Sequence, residues 1–238
     1  MSEKLETLES KNSTKGGTAK DAGRYAASPD GIGKKAAPAW NARRLAFLGM
    51  LGALSMVLML IRFPLWFAPS FLDFDVADLP ALFAGFFLGP LDGVIVIFVK
   101  ILLKIVFQGS NTAFVGEFSN VTMSCVFVLC ASLIYKRNKT KKTAVLSMVI
   151  ASVLVSIVGI FLNAFVMFPL YSNLYHMPME AIVAAGSAVN PLVKDEVTLM
   201  LFAVFPFNLV KHAITSLVTF LIYKRSGRVL RGLLQGAK

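Results

Sequence analysis

Apolar residues along this chain fall in long blocks separated by short polar stretches, and the blocks are too long for the core elements of a water-soluble domain. Leu45 to Phe63 is the first. Leu79 to Leu88 is the second, broken at Gly89-Pro90 before Gly93 to Phe107 continues it, and Val121 to Tyr135, Ala144 to Leu170 and Val197 to Tyr223 follow. A hydrocarbon layer of roughly 30 Å takes about 20 mainly apolar helical residues, because an unpaired backbone amide there costs several kcal/mol. The pattern predicts an all-α integral membrane protein, a six-helix transmembrane bundle. At the helical rise the second block covers only about 15 Å, so it is a short span or a re-entrant helix, and either way the broken pair returns to the side it left. Between the first two blocks lies an acidic loop containing Asp73, Asp75 and Asp78. Asp78, with Pro80 close behind, is placed to cap the helix that follows.

Composition agrees with the pattern: 56% of the 238 residues are hydrophobic and 16% charged. Residues 1–40 are the exception, rich in Lys, Gly, Ser and Asp with almost nothing to bury, and read as a disordered tail. Residues 41–225 then form the membrane domain and 226–238 a short basic tail. No short apolar region follows a basic start, so the first span is expected to stay uncleaved.

The net charge of +11 raises the possibility of nucleic-acid binding. However, the basic residues cluster beside the spans, without interleaved aromatic stacking residues. Arg43 and Arg44 precede the first span, Lys136, Arg137, Lys139, Lys141 and Lys142 follow the fourth, and Lys224, Arg225, Arg228 and Arg231 follow the last. All three clusters fall on one side, which places both termini in the cytoplasm. Cys125 and Cys130 share one apolar run at a spacing that separates their faces, so no disulfide or metal site is expected.

Polar side chains inside spans are costly and mark candidate function. Asn163, Asn208, Lys211, Lys100 and Lys104 form this set. Asn163 and Asn208 come out at depths of very roughly 10 to 17 Å from the outer helix ends, close enough to meet. Asn208, Lys211 and Thr215 share one helix face, Pro206 suggests a bent helix lining a cavity, and His212 is read as lying off that face. Lys100 reads mainly as interhelical glue, with Glu117 as one acid such lysines could pair with. Gly109-Ser110-Asn111-Thr112 and Val115-Gly116-Glu117 read as a loop whose amides could approach a ligand. Asp73 and Asp75 could hold a divalent cation for a membrane-embedded enzyme, although a solvated acidic loop is the favoured reading. No zinc-protease, nucleophile-elbow or phosphate-loop motif occurs, so no catalytic set is recognised and neither a metal nor a cofactor is expected. Small residues at Ala42, Ala46, Gly49 and Ala53 would let another helix approach closely, or serve internal packing.

These motifs resemble the substrate-binding subunits of energy-coupling factor (ECF) vitamin transporters, specifically the riboflavin-binding subunit. The resemblance runs from residue 43 to 225. It rests on Phe71-Leu72 through Asp78-Leu79-Pro80-Ala81-Leu82, Gly89-Pro90 with Gly93, Lys100, Gly109-Ser110 with Thr112, Gly116 through Asn120, Asn163 with Pro169 and Tyr171, and Pro206-Phe207-Asn208-Leu209-Val210-Lys211. It implies a six-helix bundle in the plasma membrane whose first external loop, with Phe71, Leu72, Asp73 and Phe74, covers riboflavin held by Asn163, Asn208 and Lys211. Gly109, Ser110, Thr112 and Glu117 complete the implied site. It also implies docking on a membrane coupling protein with two cytoplasmic ATPase subunits, Ala42, Ala46 and Gly49 being the coupling candidates. His212 stands where relatives often carry Gly, and the loop from Ser172 to Glu196 is long. These departures leave riboflavin, FMN or another vitamin open as the ligand.

Overall fold

The computed structural model describes residues 42–235 apart from 70 and 111, so the expected tail 1–40 lies outside the described residues. Nine α-helices follow one another: α1 (Ala42–Leu60), α2 (Leu79–Phe87), α3 (Pro90–Gln108), α4 (Val115–Arg137), α5 (Lys141–Leu162), α6 (Phe168–Tyr175), α7 (Met179–Ser187), α8 (Glu196–Leu199) and α9 (Phe205–Gln235). Two wider π turns, Asn163–Met167 and Met200–Val204, join α5 to α6 and α8 to α9. Each lies just before a proline, Pro169 or Pro206, whose missing N–H breaks the regular ladder. The Phe202 carbonyl, freed by Pro206, accepts instead from Asn190 Nδ2 at 2.9 Å. α9 runs without a break past residue 225, where the sequence suggested the basic tail would begin.

Four segments are long and apolar enough to cross a membrane: Ala42–Leu60, Val115–Arg137, Lys141–Leu174 and Glu196–Ile222. α2, with nine residues, rises only about 14 Å. α3 has the length but buries Asp92, Lys100 and Lys104. Gly89, at φ +143°, makes the corner between them, a conformation that L side chains rarely adopt. Arg44 in the first turn of α1 reaches Asp92 in the first turn of α3 through two hydrogen bonds of 2.9 and 2.5 Å. α1 and α3 therefore begin at the same end, and the α2–α3 pair does return to the side it left.

The far end of the bundle packs backbone against backbone. A Cβ on Gly93 would stand 2.5 Å from Val128 Cγ1 and 2.8 Å from the Ala81 carbonyl, and one on Gly85 would meet Ser132 Oγ at 2.2 Å. The outside of the bundle is covered with exposed apolar side chains, among them Phe98, Leu102, Val106, Leu146, Val149 and Phe161. Such a continuous apolar coat needs lipid rather than water around it.

Two boundaries differ from expectation. α1 ends at Leu60, because Phe63–Pro64 forms a short strand β1 paired antiparallel with β2 (Asp73–Phe74). Val115-Gly116-Glu117, read as loop, is the first turn of α4. Hydroxyls start this helix early: Ser110 Oγ accepts the Phe114 N–H at 2.8 Å and Thr112 Oγ1 the Gly116 N–H at 3.0 Å. They hold Ala113 and Phe114 at positive φ.

Candidate functional site

At the end of the bundle where α4 begins, α1, α3, α4, α5 and α9 draw apart around a cavity of about 450 Å³ roofed by the β1–β2 loop. Its apolar walls come from Met59, Phe71, Leu72, Met123, Met167, Tyr171 and Phe207. Its polar groups are Arg62, Asp73, Asp75, Asp78, Lys104, Gln108, Thr112, Glu117, Ser119, Asn120, Ser124, Asn163, Asn208, Lys211 and His212. The β1–β2 pairing, Phe63 with Phe74 and Pro64 with Asp73, fixes the roof's register. Side chains alternate along an extended strand. Asp73 and Asp75 therefore face the cavity while Phe74 turns away, packing with Ala68 and Phe207 and 5.1 Å from the Phe63 ring.

Buried charges around the cavity are paired, as a low-dielectric interior requires. Lys100, wholly buried, donates to Asp78 Oδ1 at 2.8 Å and to Ser124 Oγ at 3.1 Å, and Ser124 Oγ donates to the same carboxylate oxygen at 2.6 Å. Lys104 pairs with Glu117 and donates to the Gly109 carbonyl at 2.9 Å. Lys211 donates to Asp75 Oδ2 at 2.8 Å and reaches the Asp73 carbonyl at 3.4 Å, tying the roof to α9. Arg62 lies 3.4 Å from Asp73 at the rim.

Asn163 and Asn208 converge as expected. Asn163 Nδ2 donates to the Gly159 carbonyl at 2.8 Å and Asn208 Nδ2 to the Val204 carbonyl at 2.9 Å. Each bond uses one of the two amide hydrogens, so the other hydrogen and the amide oxygen remain for the cavity. Gly159 gives Asn208 room, since a Cβ there would stand 2.8 Å from Asn208 Nδ2.

Phe71, Leu72, Asp73, Thr112, Glu117, Asn163, Asn208 and Lys211 line the cavity, whereas Phe74, Gly109 and Ser110 do not. Gly109 and Ser110 act at one remove: the first accepts from Lys104, and the second donates to Glu117 at 2.9 Å. Three readings are corrected. Asp78 makes no side-chain cap to α2, because its carboxylate turns inward to neutralise Lys100. The acidic loop is not a solvated one, because Asp75 and Asp78 are buried in ion pairs. His212 does not lie off the Asn208 face: it is one turn further along α9, lines the same cavity and is 2% exposed. A spacing of four residues could have shown this. Lys100 is indeed glue, with Asp78 as its partner, and Glu117 pairs with Lys104.

The small residues of α1 point outward. Ala42, Ala46 and Ala53 are exposed, and a Cβ on Gly49 would meet nothing within 4 Å. Internal packing does not explain the stripe. Cys125 and Cys130 are both free thiols.

The family model for the ECF transporter substrate-specific component matches residues 43–223. The riboflavin transporter RibU of Staphylococcus aureus (strain TCH60) is 34% identical over 189 residues, covering 79% of this chain and 93% of its own. The riboflavin transporter FmnP of Bacillus subtilis (strain 168) is 28% identical over 182 residues, covering 76% and 90%. A solved structure of the S component of a bacterial ECF transporter superposes with a TM-score of 0.62 at 32% identity, covering 79% of this chain and 97% of that one. These relatives are transporters, which sets aside a membrane enzyme built on Asp73 and Asp75. A polar cavity closed by a strap inside an apolar-coated helix bundle is what a membrane protein that captures a small solute requires, and the chain belongs to the family of ECF transporter substrate-specific components.

Proposed function

We propose that this chain captures riboflavin at the outer face of the plasma membrane for ATP-driven uptake. The observation that carries the reading is the convergence of Asn163, Asn208 and Lys211 on one cavity with apolar walls. One edge of the flavin ring presents a carbonyl, an imide N–H and a second carbonyl, and two amides with a lysine can satisfy all three. Lys211 spends two of its three hydrogens on Asp75 and the Asp73 carbonyl, leaving one for a ligand carbonyl. The flat faces of the ring fit between Phe71, Leu72, Met123, Met167 and Tyr171.

Charge favours the unphosphorylated vitamin over FMN. Asp73, Asp75, Asp78 and Glu117 outnumber Arg62, Lys104 and Lys211 in the lining, so a phosphate dianion entering there meets net repulsion. Relatives named riboflavin transporters support the same choice.

In this reading six helices form the membrane bundle, α2 being the short one, and residues 41–225 are the binding domain between cytoplasmic tails. The basic residues flanking α1, α4 and α9 put both termini in the cytoplasm and the cavity outside. The chain has no phosphate-loop motif of its own, so the energy comes from a membrane coupling protein with two cytoplasmic ATPase subunits. The exposed small-residue stripe at Ala42, Ala46 and Gly49 suits close approach of a coupling helix.

Titrating the purified protein with riboflavin and following quenching of flavin fluorescence tests the reading. Asn163→Ala and Asn208→Ala should each weaken binding about five- to 150-fold, the cost of leaving a buried ligand group unpaired. A preparation that neither carries a flavin nor quenches added riboflavin would refute it.

A further inference from the structure

The deep wall of the cavity holds an unpaired acceptor that the reading above does not use. The Nδ1 of His212 sits 2.8 Å from the Asn208 backbone oxygen. A carbonyl only accepts, so Nδ1 carries a hydrogen. Asp75 and Asp78 already have Lys211 and Lys100 as counter-charges, and an imidazolium beside them would be a buried cation without a partner. The ring is therefore neutral and its Nε2 is a bare lone pair. This Nε2 is buried with no hydrogen-bond partner among the described residues. Its nearest charged neighbour is Asp78 Oδ2, 3.9 Å away, too far for a hydrogen bond. Both hydrogen bonds to Asp78 go to Oδ1, from Lys100 and Ser124. The wall thus places two acceptors side by side with no donor between them. Phe127, whose ring centre lies 4.6 Å from that of His212, fixes the imidazole from behind.

Two buried acceptors facing each other are unfavourable unless a hydrogen lies between them. We infer that His212 Nε2 and Asp78 Oδ2 form an acceptor pair that receives a hydrogen-bond donor of the bound ligand, making His212 a specificity-determining residue. This rests on the riboflavin reading. Riboflavin offers two kinds of donor, the ring imide N–H and the hydroxyls of its ribityl chain. Either satisfies the pair, and a ligand lacking both would leave it unpaired.

The test is titration of wild-type protein and of His212→Phe, His212→Leu and His212→Gln with riboflavin, lumiflavin and 3-methylriboflavin, each variant first checked for folding by size exclusion in detergent. Phe keeps a ring against Phe127 without an acceptor, and Leu serves if Phe does not fold. Gln brings an amide oxygen close to the position of Nε2. Loss of the acceptor should weaken riboflavin about five- to 150-fold, and Gln should restore it to within about threefold. If lumiflavin, which lacks the polyol, is insensitive to His212→Phe, the donor is a hydroxyl. If 3-methylriboflavin is the insensitive ligand, the donor is the imide N–H. A His212→Phe or His212→Leu variant that binds riboflavin as tightly as wild type overturns the inference alone, as does a Gln variant no better than Phe. Wild-type protein that binds no riboflavin overturns the functional reading and this inference with it.

Discussion

The two ends of the bundle are built on opposite rules. At the end where α3 begins, helices touch through glycine, alanine and serine, as where Gly85 and Gly93 meet Val128 and Ser132. At the cavity end they are held apart by long charged side chains that reach across the gap, Lys100 to Asp78, Lys104 to Glu117 and Lys211 to Asp75. Close packing leaves no room for a ligand and needs no charge. A gap in a membrane protein must be lined with groups that tolerate both an empty and a filled state, and paired charges at a cavity edge do so because each keeps its partner while spare donors and acceptors face inward.

The contrast is broken most severely at Lys100. Lys100→Met leaves Asp78 buried without a cation and should cost about 3–5 kcal/mol, seen as a large drop in thermal unfolding temperature in detergent. Adding Asp78→Leu should recover most of it, and failure to recover would mean that the pair is not what holds α2 and α4 to α3. Lys211→Met comes next. It removes both the tie between roof and α9 and a proposed ligand contact, so riboflavin affinity should fall roughly 10- to 150-fold, the range of a charge-assisted hydrogen bond. Stopped-flow measurement should place the loss chiefly in faster release.

At the close-packed end, Gly93→Ala forces a methyl against the Ala81 carbonyl and should destabilise by about 1–3 kcal/mol without altering flavin affinity. Gly49→Ala is its control, because the added methyl meets open space. The smallest effect belongs to Arg62→Ala. Its ion pair with Asp73 is part exposed at 3.4 Å, and such pairs contribute about 0–1 kcal/mol. A larger loss in affinity would show that Arg62 touches the ligand.

Much of this arrangement can be read from the chain. Apolar run length located the long helices, Gly89-Pro90 marked the corner, and Asn163, Asn208 and Lys211 stood out because polar groups in spans need a reason. The roof was read less well, since a loop of Asp and Phe looks solvated until its alternation is noticed. Once Asp73 and Phe74 are placed on a strand, one faces the cavity and the other the cluster with Phe207. The inward turn of Asp78 depends on Lys100, 22 residues away, and no local rule links the two. His212 was a missed periodicity. Met59, Arg62 and Ser124 came to the site through tertiary packing alone.

The two π turns bear on phase. Buried positions along α5 and its continuation recur every fourth residue at Ser147, Ala151, Val155, Gly159, Asn163 and Met167, and along α9 at Leu199, Ala203, Phe207, Thr215 and Thr219. A repeat of four overshoots the 3.6-residue turn, so the buried seam creeps around a straight helix by about 40° at each step. A wider turn takes the creep back, and both segments have one beside the cavity. Deleting one residue from Met200–Val204 would thus act as a rotation of about 100° rather than a shortening. Leu199 and Met200 would swing out and Val197 and Leu201 in, an exchange that cysteine labelling at positions 197 and 200 would report.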